Sequence, residues 1–137
     1  MMEESLLIHR DVAPFVVDLG MEIVSRSPES VVMTLPDRPR FQNRKGDVHG
    51  GAAATLIDSA LGFAATEGDP PGTASSTLTL TVNYLAPARG KLTCVSSMVR
   101  RGRSIRFLKA EVTDEAGELV ATATATFKIF PPRIVAR

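Results

Sequence analysis

The chain has 137 residues, 44% of them hydrophobic and 23% charged, which suits one globular domain with a hydrophobic core. Its net charge of +1 gives no reason to expect a nucleic-acid partner, and its apolar runs are too short for a membrane span or a signal peptide. The single Cys94 and two histidines without ligand spacing argue against a disulfide and a metal site, so we expect one cytoplasmic domain over residues 1–137.

The first half of the chain predicts short elements and then one long helix, which the sequence GDPPG at 68–72 ends. In order, the predicted elements are a helical turn over 11–18 with Asp11 at its start, two short strands within 21–36, a loop over 37–47, and a helix from His49 to about Glu67.

The second half predicts four long antiparallel strands, at 76–87, 91–101, 104–114 and 118–130. In the first of them, alternate residues from Leu78 to Tyr84 are apolar, as in a half-buried strand. In the third, the apolar set changes parity between Phe107 and Leu108, which predicts a bulge. The long helix is apolar on nearly all sides, so we predict an α+β fold in which a sheet curls around it.

Two glycines, Gly50 and Gly51, open the long helix behind His49. The first N–H groups of a helix lack intrahelical partners and lie at the positive end of its dipole. Because glycine lets a ligand approach the backbone closely, this start suits an oxyanion hole for a thioester carbonyl. The alternative is that the glycines only let the loop enter the helix tightly.

Asp58 lies in the middle of the same helix, among small and apolar residues. Its neighbours four residues away, Ala54 and Gly62, cannot form an ion pair with it. An unpaired buried carboxylate is costly, so Asp58 is a candidate catalytic acid or base. The alternative is a structural hydrogen bond to a serine, a threonine or the backbone of a strand or of another subunit.

The spacing connects these two features. Asp58 follows Gly50 by eight residues, which is ~12 Å along a helix. A carboxylate cannot act over that distance on a carbonyl held at the helix start. If both groups serve one reaction, the carboxylate comes from a second, antiparallel copy of the helix in a two-fold dimer.

The ordered set of Asn43, the segment His49-Gly50-Gly51, Asp58, the segment 83–87 (NYLAP) and the segment 101–104 (RGRS) resembles the hotdog-fold acyl-CoA thioesterases. The branch it is most similar to is the phenylacetic acid degradation type, related to the 4-hydroxybenzoyl-CoA thioesterases, and the resemblance covers about residues 40–128. It implies a curved antiparallel sheet around one central helix, with homodimers that pair their sheets edge to edge and often assemble further as dimers of dimers.

The resemblance also implies roles for individual residues. The Gly50 N–H would polarise the thioester carbonyl, and Asp58 of the partner subunit would act as nucleophile or general base. Asn43 would orient the attacking water or the carboxylate, and His49 would support the glycines. A strand hydroxyl, Thr77 or else Ser76, would assist.

The basic segment 100–103, with Arg106 and Lys109 beyond it, has two interpretations. The commoner meaning of such a run is a solvated hairpin end. The resemblance instead places Arg101, Gly102, Arg103 and Ser104, with Gly51, at the coenzyme A of the substrate, and arginine suits phosphates. Arg89 is a weaker candidate for the same role.

The expected activity is hydrolysis of an acyl-CoA, with no cofactor beyond the coenzyme A of the substrate and with Leu61 and Phe63 at the acyl pocket. A hotdog hydratase is an alternative, but it needs a histidine placed for proton transfer. A non-catalytic acyl-CoA sensor is the other alternative, although we expect no room at the N-terminus for a DNA-binding helix pair. The sequence leaves the acyl group itself open.

Overall fold

Six strands and two helices make up most of residues 12–133, the part of the chain that this computed structural model describes. In chain order they are α1 (Pro14–Asp18), β1 (Glu22–Arg26), β2 (Ser30–Leu35), α2 (Gly50–Thr66), β3 (Ala74–Tyr84), β4 (Leu92–Arg101), β5 (Ile105–Thr113) and β6 (Leu119–Phe130), with a 3-10 turn at Pro39–Phe41 before α2. The predicted helical turn is confirmed at α1, whereas Asp11, expected at its start, lies outside the described residues.

All six strands belong to one antiparallel sheet with the order β1-β2-β4-β5-β6-β3. Helix α2 packs against this sheet and contacts β2, β3, β4, β5 and β6. The predicted α+β class, with one long helix against an antiparallel sheet, is confirmed. Neither of the helices in residues 12–133 is long and apolar enough to cross a membrane.

Helix α2 presents one apolar side to the sheet. The buried residues of this side recur at spacings of three and four, and they are Ala53, Leu56, Ile57, Ala60, Leu61, Ala64 and Ala65. The opposite side is half-buried and carries Thr55, Asp58 and Ser59. We expect from the sequence that the sheet surrounds nearly all sides of the helix. Within one chain it covers only one side.

A bulge in β3 decides which of its residues face the helix. The pairing of β3 with β6 shifts between Thr77 and Thr79, and Leu78, the extra residue, is 53% exposed. Directly opposed residues share a face of the sheet, so Thr77 lies on the same face as its buried partner Phe127. The expectation of an unbroken apolar alternation from Leu78 to Tyr84 is wrong at Leu78.

A second bulge lies in β4 and not in β5, where we predicted one. The pairing of these strands shifts between Met98 and Arg100, so Val99 is the extra residue. Strand β5 alternates without a break, with Leu108 buried and Phe107 42% exposed on the outer face. The inner-face residue that precedes Leu108 is Arg106, which is buried although it is charged. The apolar pattern of the sequence therefore changes parity at a point where the backbone does not.

That arginine, Arg106, joins the end of α2 to the sheet. Its guanidinium donates to the Ala65 carbonyl at 2.7 Å and to the Gly102 carbonyl at 2.9 Å. It also donates to both carboxylate oxygens of Asp69, in the loop that follows the helix. A cation suits this position because the last carbonyls of a helix lack intrahelical partners and carry partial negative charge.

Arg106→Ala should lower the free energy of unfolding by about 3–5 kcal/mol, because it leaves the Asp69 carboxylate without its buried partner. Arg103→Ala is a matched control on the same hairpin, since Arg103 is exposed and makes no hydrogen bond within residues 12–133; it should change the free energy by less than about 0.5 kcal/mol. Urea unfolding followed by circular dichroism measures both. Equal effects of the two substitutions would contradict the structural role of Arg106.

Candidate active site

His49 caps the N-terminus of α2. Its side-chain Nδ1 accepts a hydrogen bond from the Gly51 N–H at 2.9 Å, and its backbone (φ −60°, ψ 135°) has the extended ψ of an N-cap. Its own N–H donates to the Phe41 carbonyl at 2.7 Å, which ties the helix start to the 3-10 turn. An accepting Nδ1 carries no proton, so this hydrogen bond requires the neutral ring with its hydrogen on Nε2.

The Tyr84 ring lies close beside Gly50 and leaves little room for a side chain there. A Cβ added at Gly50 would lie 3.2 Å from the Tyr84 ring, and the Tyr84 hydroxyl donates to the Gly50 carbonyl at 2.7 Å. The same argument holds for Gly51, where a Cβ would lie 3.1 Å from the His49 Nδ1. Within residues 12–133 the Gly50 N–H donates to no protein atom, so it is available to an acceptor outside the chain.

Asn43 shapes the loop that leads to this helix start. Its side-chain oxygen accepts hydrogen bonds from the N–H groups of Lys45 at 2.9 Å and Asp47 at 3.1 Å. Asp47 is buried and accepts from the Arg89 Nε at 2.9 Å. The loop is therefore fixed by its own hydrogen bonds, and the Asn43 amide NH2 is left as a free donor in this part of the structure.

These residues surround a cleft of about 410 Å³ at the start of α2. Gly50, Asn43, Lys45 and Tyr84 line it, together with the Leu85 to Ala88 segment that follows β3. Asp47 also lines the cleft, and its carboxylate is paired with Arg89. With that charge paired, the available backbone N–H, the amide and the lysine make the cleft suitable for a polar or anionic group.

Asp58 lies two turns further along α2 and accepts a hydrogen bond from the Thr77 hydroxyl at 2.7 Å. The β3 bulge makes this contact possible because it turns Thr77 toward the helix. Ser76, the alternative hydroxyl, is exposed and pairs with Lys128 on the other face. Asp58 itself is half-buried, and the Thr77 hydroxyl supplies a partner, so its carboxylate is neither unpaired nor enclosed in the core of the single chain.

A second cavity, of about 460 Å³, lies beside Asp58. Its lining includes Thr77, Phe63 and Phe127, and it shares no lining residue with the cleft at Gly50. Phe63 thus lies where we expected an acyl-pocket residue, whereas Leu61 is fully buried in the core and does not line the cavity. The structure brings Asp58 and Thr77 together, and Gly50, His49 and Asn43 together, but keeps the two groups apart.

The comparisons with known proteins agree with this architecture. The model of the family described as "Domain of unknown function (DUF4442)" matches residues 6–129. A Halobacterium salinarum protein named provisionally as an esterase is 34% identical over 123 residues, 82% of each chain. The medium/long-chain acyl-CoA thioesterase of Escherichia coli K12 is 28% identical over 132 residues, 85% of each chain. The chain belongs to this family and is a hotdog-fold thioesterase.

A solved structure shows the shared fold. The Escherichia coli protein from the phenylacetic acid degradation operon superimposes with a TM-score of 0.83 at 19% identity, covering 96% of this chain and 95% of that one. The predicted hotdog fold is thereby confirmed. The predicted family and the enzyme class, a thioester hydrolase, are supported by the relatives that are named as acyl-CoA thioesterases.

In the basic segment 100–104, some side chains hold the fold together and others are exposed and could contact a ligand. Arg101 donates to the Glu67 carbonyl at 2.9 Å and to the Pro28 carbonyl at 3.2 Å, so it caps α2 beside Arg106. Arg103 is exposed and free of hydrogen bonds within the described residues, and the Ser104 hydroxyl accepts from Lys128. Arg103 and Ser104 therefore remain the members of the predicted set that can reach a phosphate.

Cys94, the single cysteine, takes no part in this site. It is fully buried in β4, and burial raises the pKa of its thiol to about 12. Near neutral pH the thiol stays protonated, so it is not a nucleophile.

The sequence analysis does not predict two residues that line the Gly50 cleft, Tyr84 and Lys45. Tyr84 was treated as an apolar strand residue, yet its hydroxyl binds the helix start; it is the only tyrosine of the chain and closes a strand, which was a usable signal. Lys45 lines the Gly50 cleft. Its position in a polar loop gave no sign of this, because the loop's turn at Asn43 is not readable from spacing.

His49→Ala should lower the free energy of unfolding by about 1 kcal/mol, because the Gly51 N–H loses its cap. His49→Asn should keep most of that stability, since asparagine is a good N-cap. Chemical denaturation of the three proteins measures the difference. Equal destabilisation by alanine and asparagine would show that the capping hydrogen bond is not what His49 contributes.

Proposed function

We propose that this hotdog thioesterase hydrolyses acyl-CoA thioesters to coenzyme A and a carboxylic acid. The Escherichia coli relative is named as an acyl-CoA thioesterase, and so is a mouse relative that is 26% identical over 76% of the chain. The observation that carries the proposal is the pairing, on one helix, of a free N–H at Gly50 with a hydroxyl-bound carboxylate at Asp58.

In the proposed reaction the free Gly50 N–H activates the electrophile, which is the thioester carbonyl. Attack on a thioester places negative charge on the carbonyl oxygen, and a preorganised N–H at the positive end of a helix stabilises it. The His49 cap uses the Gly51 N–H and leaves the Gly50 N–H as the donor. The Asn43 amide, in the same cleft, is placed to orient a water or a carboxylate.

Asp58 is the nucleophilic half. Either it attacks the carbonyl carbon, expelling the CoA thiolate and forming an anhydride that water then opens, or it takes a proton from the water that attacks. Both routes need the ionised carboxylate with one oxygen free. The Thr77 hydroxyl binds Oδ1, which fixes the carboxylate and leaves Oδ2 for the reaction.

These halves meet in the proposed mechanism only across a dimer. Gly50 and Asp58 of one chain are ~12 Å apart along the helix and line separate cavities. Strand β3 supports the dimer, because one side of it has no strand partner among the described residues, and it exposes Leu78 and Tyr84 by 53% and 55%. A two-fold pairing of β3 edges would place Asp58 of the partner subunit opposite Gly50 twice, giving two sites.

The same dimer would bring a phosphate-binding group to the substrate. Arg103 and Ser104 lie beyond the C-terminal end of α2, and an antiparallel partner carries that end toward Gly50. We assign the nucleotide end of coenzyme A to Arg103 and Ser104 of the subunit that supplies Asp58. The capping role of His49 counts against the hydratase alternative, because its Nδ1 is occupied by the backbone.

Asp58→Asn should lower acyl-CoA turnover by about 10²–10⁴-fold, because an amide cannot attack or accept a proton. Its stability should be unchanged or improved, since asparagine can still accept the Thr77 hydrogen bond without a half-buried charge. Thiol release from short-chain, medium-chain and aryl acyl-CoAs measures turnover, and thermal unfolding measures stability. A large drop in melting temperature with turnover retained would make Asp58 structural, and binding without any turnover by the wild type would favour the sensor.

Mixing two inactive variants tests the shared site. Gly50→Pro removes the N–H while keeping a good first helical residue, and Gly50→Ala is its control, because it adds the same Cβ beside Tyr84 but keeps the donor. Gly50→Pro should lose about 10²–10³ in kcat, and Gly50→Ala much less. Co-refolding Gly50→Pro with Asp58→Asn should restore about a quarter of wild-type activity, because each mixed dimer holds one intact site. No recovery in dimers shown by mass spectrometry to be mixed would place both groups of a site in one chain.

A further inference from the structure

The cavity beside Asp58 has polar and apolar lining residues. Asp58 and Thr77 are among the polar ones, with Ser59, Thr66 and Ser75, and the rings of Phe63 and Phe127 are among the apolar ones. Phe63 is held from its other side by Arg26, whose guanidinium lies 5.3 Å from the ring centroid. Arg26 is fixed in turn by an ion pair with Glu67 at 3.0 Å. The Phe63 side of the cavity is therefore supported by contacts from β1 and from the end of α2.

Gly62 lies in this lining, one helical turn after Asp58. Its backbone is helical with negative φ, so its conformation does not require glycine. A Cβ added there would meet only the Phe127 ring, at 3.9 Å, which is ordinary van der Waals contact. Gly50 and Gly51 differ in this respect, because a Cβ at either would meet a side chain at 3.2 Å or less.

A glycine in a helix interior destabilises the protein relative to alanine. At Gly62 neither the backbone nor the packing of the described residues explains that cost. The unexplained feature is the open space itself, because Gly62 lines the same cavity as Phe63 and Phe127 and a Cβ there would meet only the Phe127 ring.

We propose that Gly62 keeps this space open for the acyl group of the substrate and thereby sets its size. The inference rests on the proposed acyl-CoA hydrolysis and adds to it a residue, Gly62, that limits the size of the acyl group. The thioester carbonyl would lie between Asp58 and Gly50 of the partner subunit. The acyl group would then enter the cavity of the Asp58 subunit, while the coenzyme A would extend toward Arg103 and Ser104 of that subunit, the groups assigned above to its nucleotide end.

The test is the acyl selectivity of Gly62→Ala and Gly62→Leu, measured as kcat/KM for decanoyl-CoA and phenylacetyl-CoA relative to butanoyl-CoA. Adding a methyl to an apolar pocket should lower these ratios about ten-fold in the alanine variant, and the leucine variant should lower them further. Butanoyl-CoA serves as the internal control for intact chemistry. Phe63→Ala, which enlarges the cavity, should shift the decanoyl ratio in the opposite direction.

Stability separates this role from a packing role. Gly62→Ala should raise the melting temperature by about 3 °C while it lowers the kcat/KM ratios for decanoyl-CoA and phenylacetyl-CoA. Unchanged ratios in the Gly62 variants, with wild-type turnover intact, would overturn the inference and leave the proposed function standing. Dissociation of the Gly62→Ala dimer in light scattering would also overturn it, because the glycine would then serve contact between subunits. Absence of wild-type turnover with every acyl-CoA would instead overturn the proposed function itself.

Discussion

Helix α2 is fixed at both ends by side chains from outside it. At the start, His49 caps the Gly51 N–H and the Tyr84 hydroxyl binds the Gly50 carbonyl. At the end, Arg106 binds the Ala65 carbonyl and, with Asp69, anchors the loop that follows. Helical geometry sets the ~12 Å between the first N–H and Asp58, and the anchors at both termini fix where these two groups lie relative to the sheet.

This distance separates the Gly50 N–H, a donor for the thioester carbonyl, from the Asp58 carboxylate on the same helix. The single chain therefore has a donor at Gly50 without a base and a base at Asp58 without a donor. The separation can serve one reaction only if a second helix runs in the opposite direction. The edge strand β3 offers the means, because its bulge turns Thr77 to Asp58 while its outer side stays unpaired within residues 12–133. Assembly and chemistry are thus proposed to depend on the same strand.

The sequence was sufficient for the elements whose signals are local. Helix α2 was predicted to within one residue at each end, because His49 and the GDPPG breaker mark it, and the four long strands follow from their alternation. The bulges at Leu78 and Val99 were missed or misplaced because a bulge is defined by the partner strand, which sequence alone does not show. Arg106 was grouped with exposed cations for the same reason, since its burial depends on Asp69, 37 residues away.

The three glycines of α2 show how such local signals can carry different meanings. At Gly50 and Gly51 a Cβ would lie 3.2 and 3.1 Å from the side chains of Tyr84 and His49, so close neighbours within the chain also favour glycine there. Gly62 has no such neighbour and lies beside Asp58. A glycine that no neighbour in the described residues requires lowers helix stability without a packing gain, so its role is sought outside the single chain. Gly62, the glycine with the weakest sequence signal, is therefore the one that we assign to the substrate.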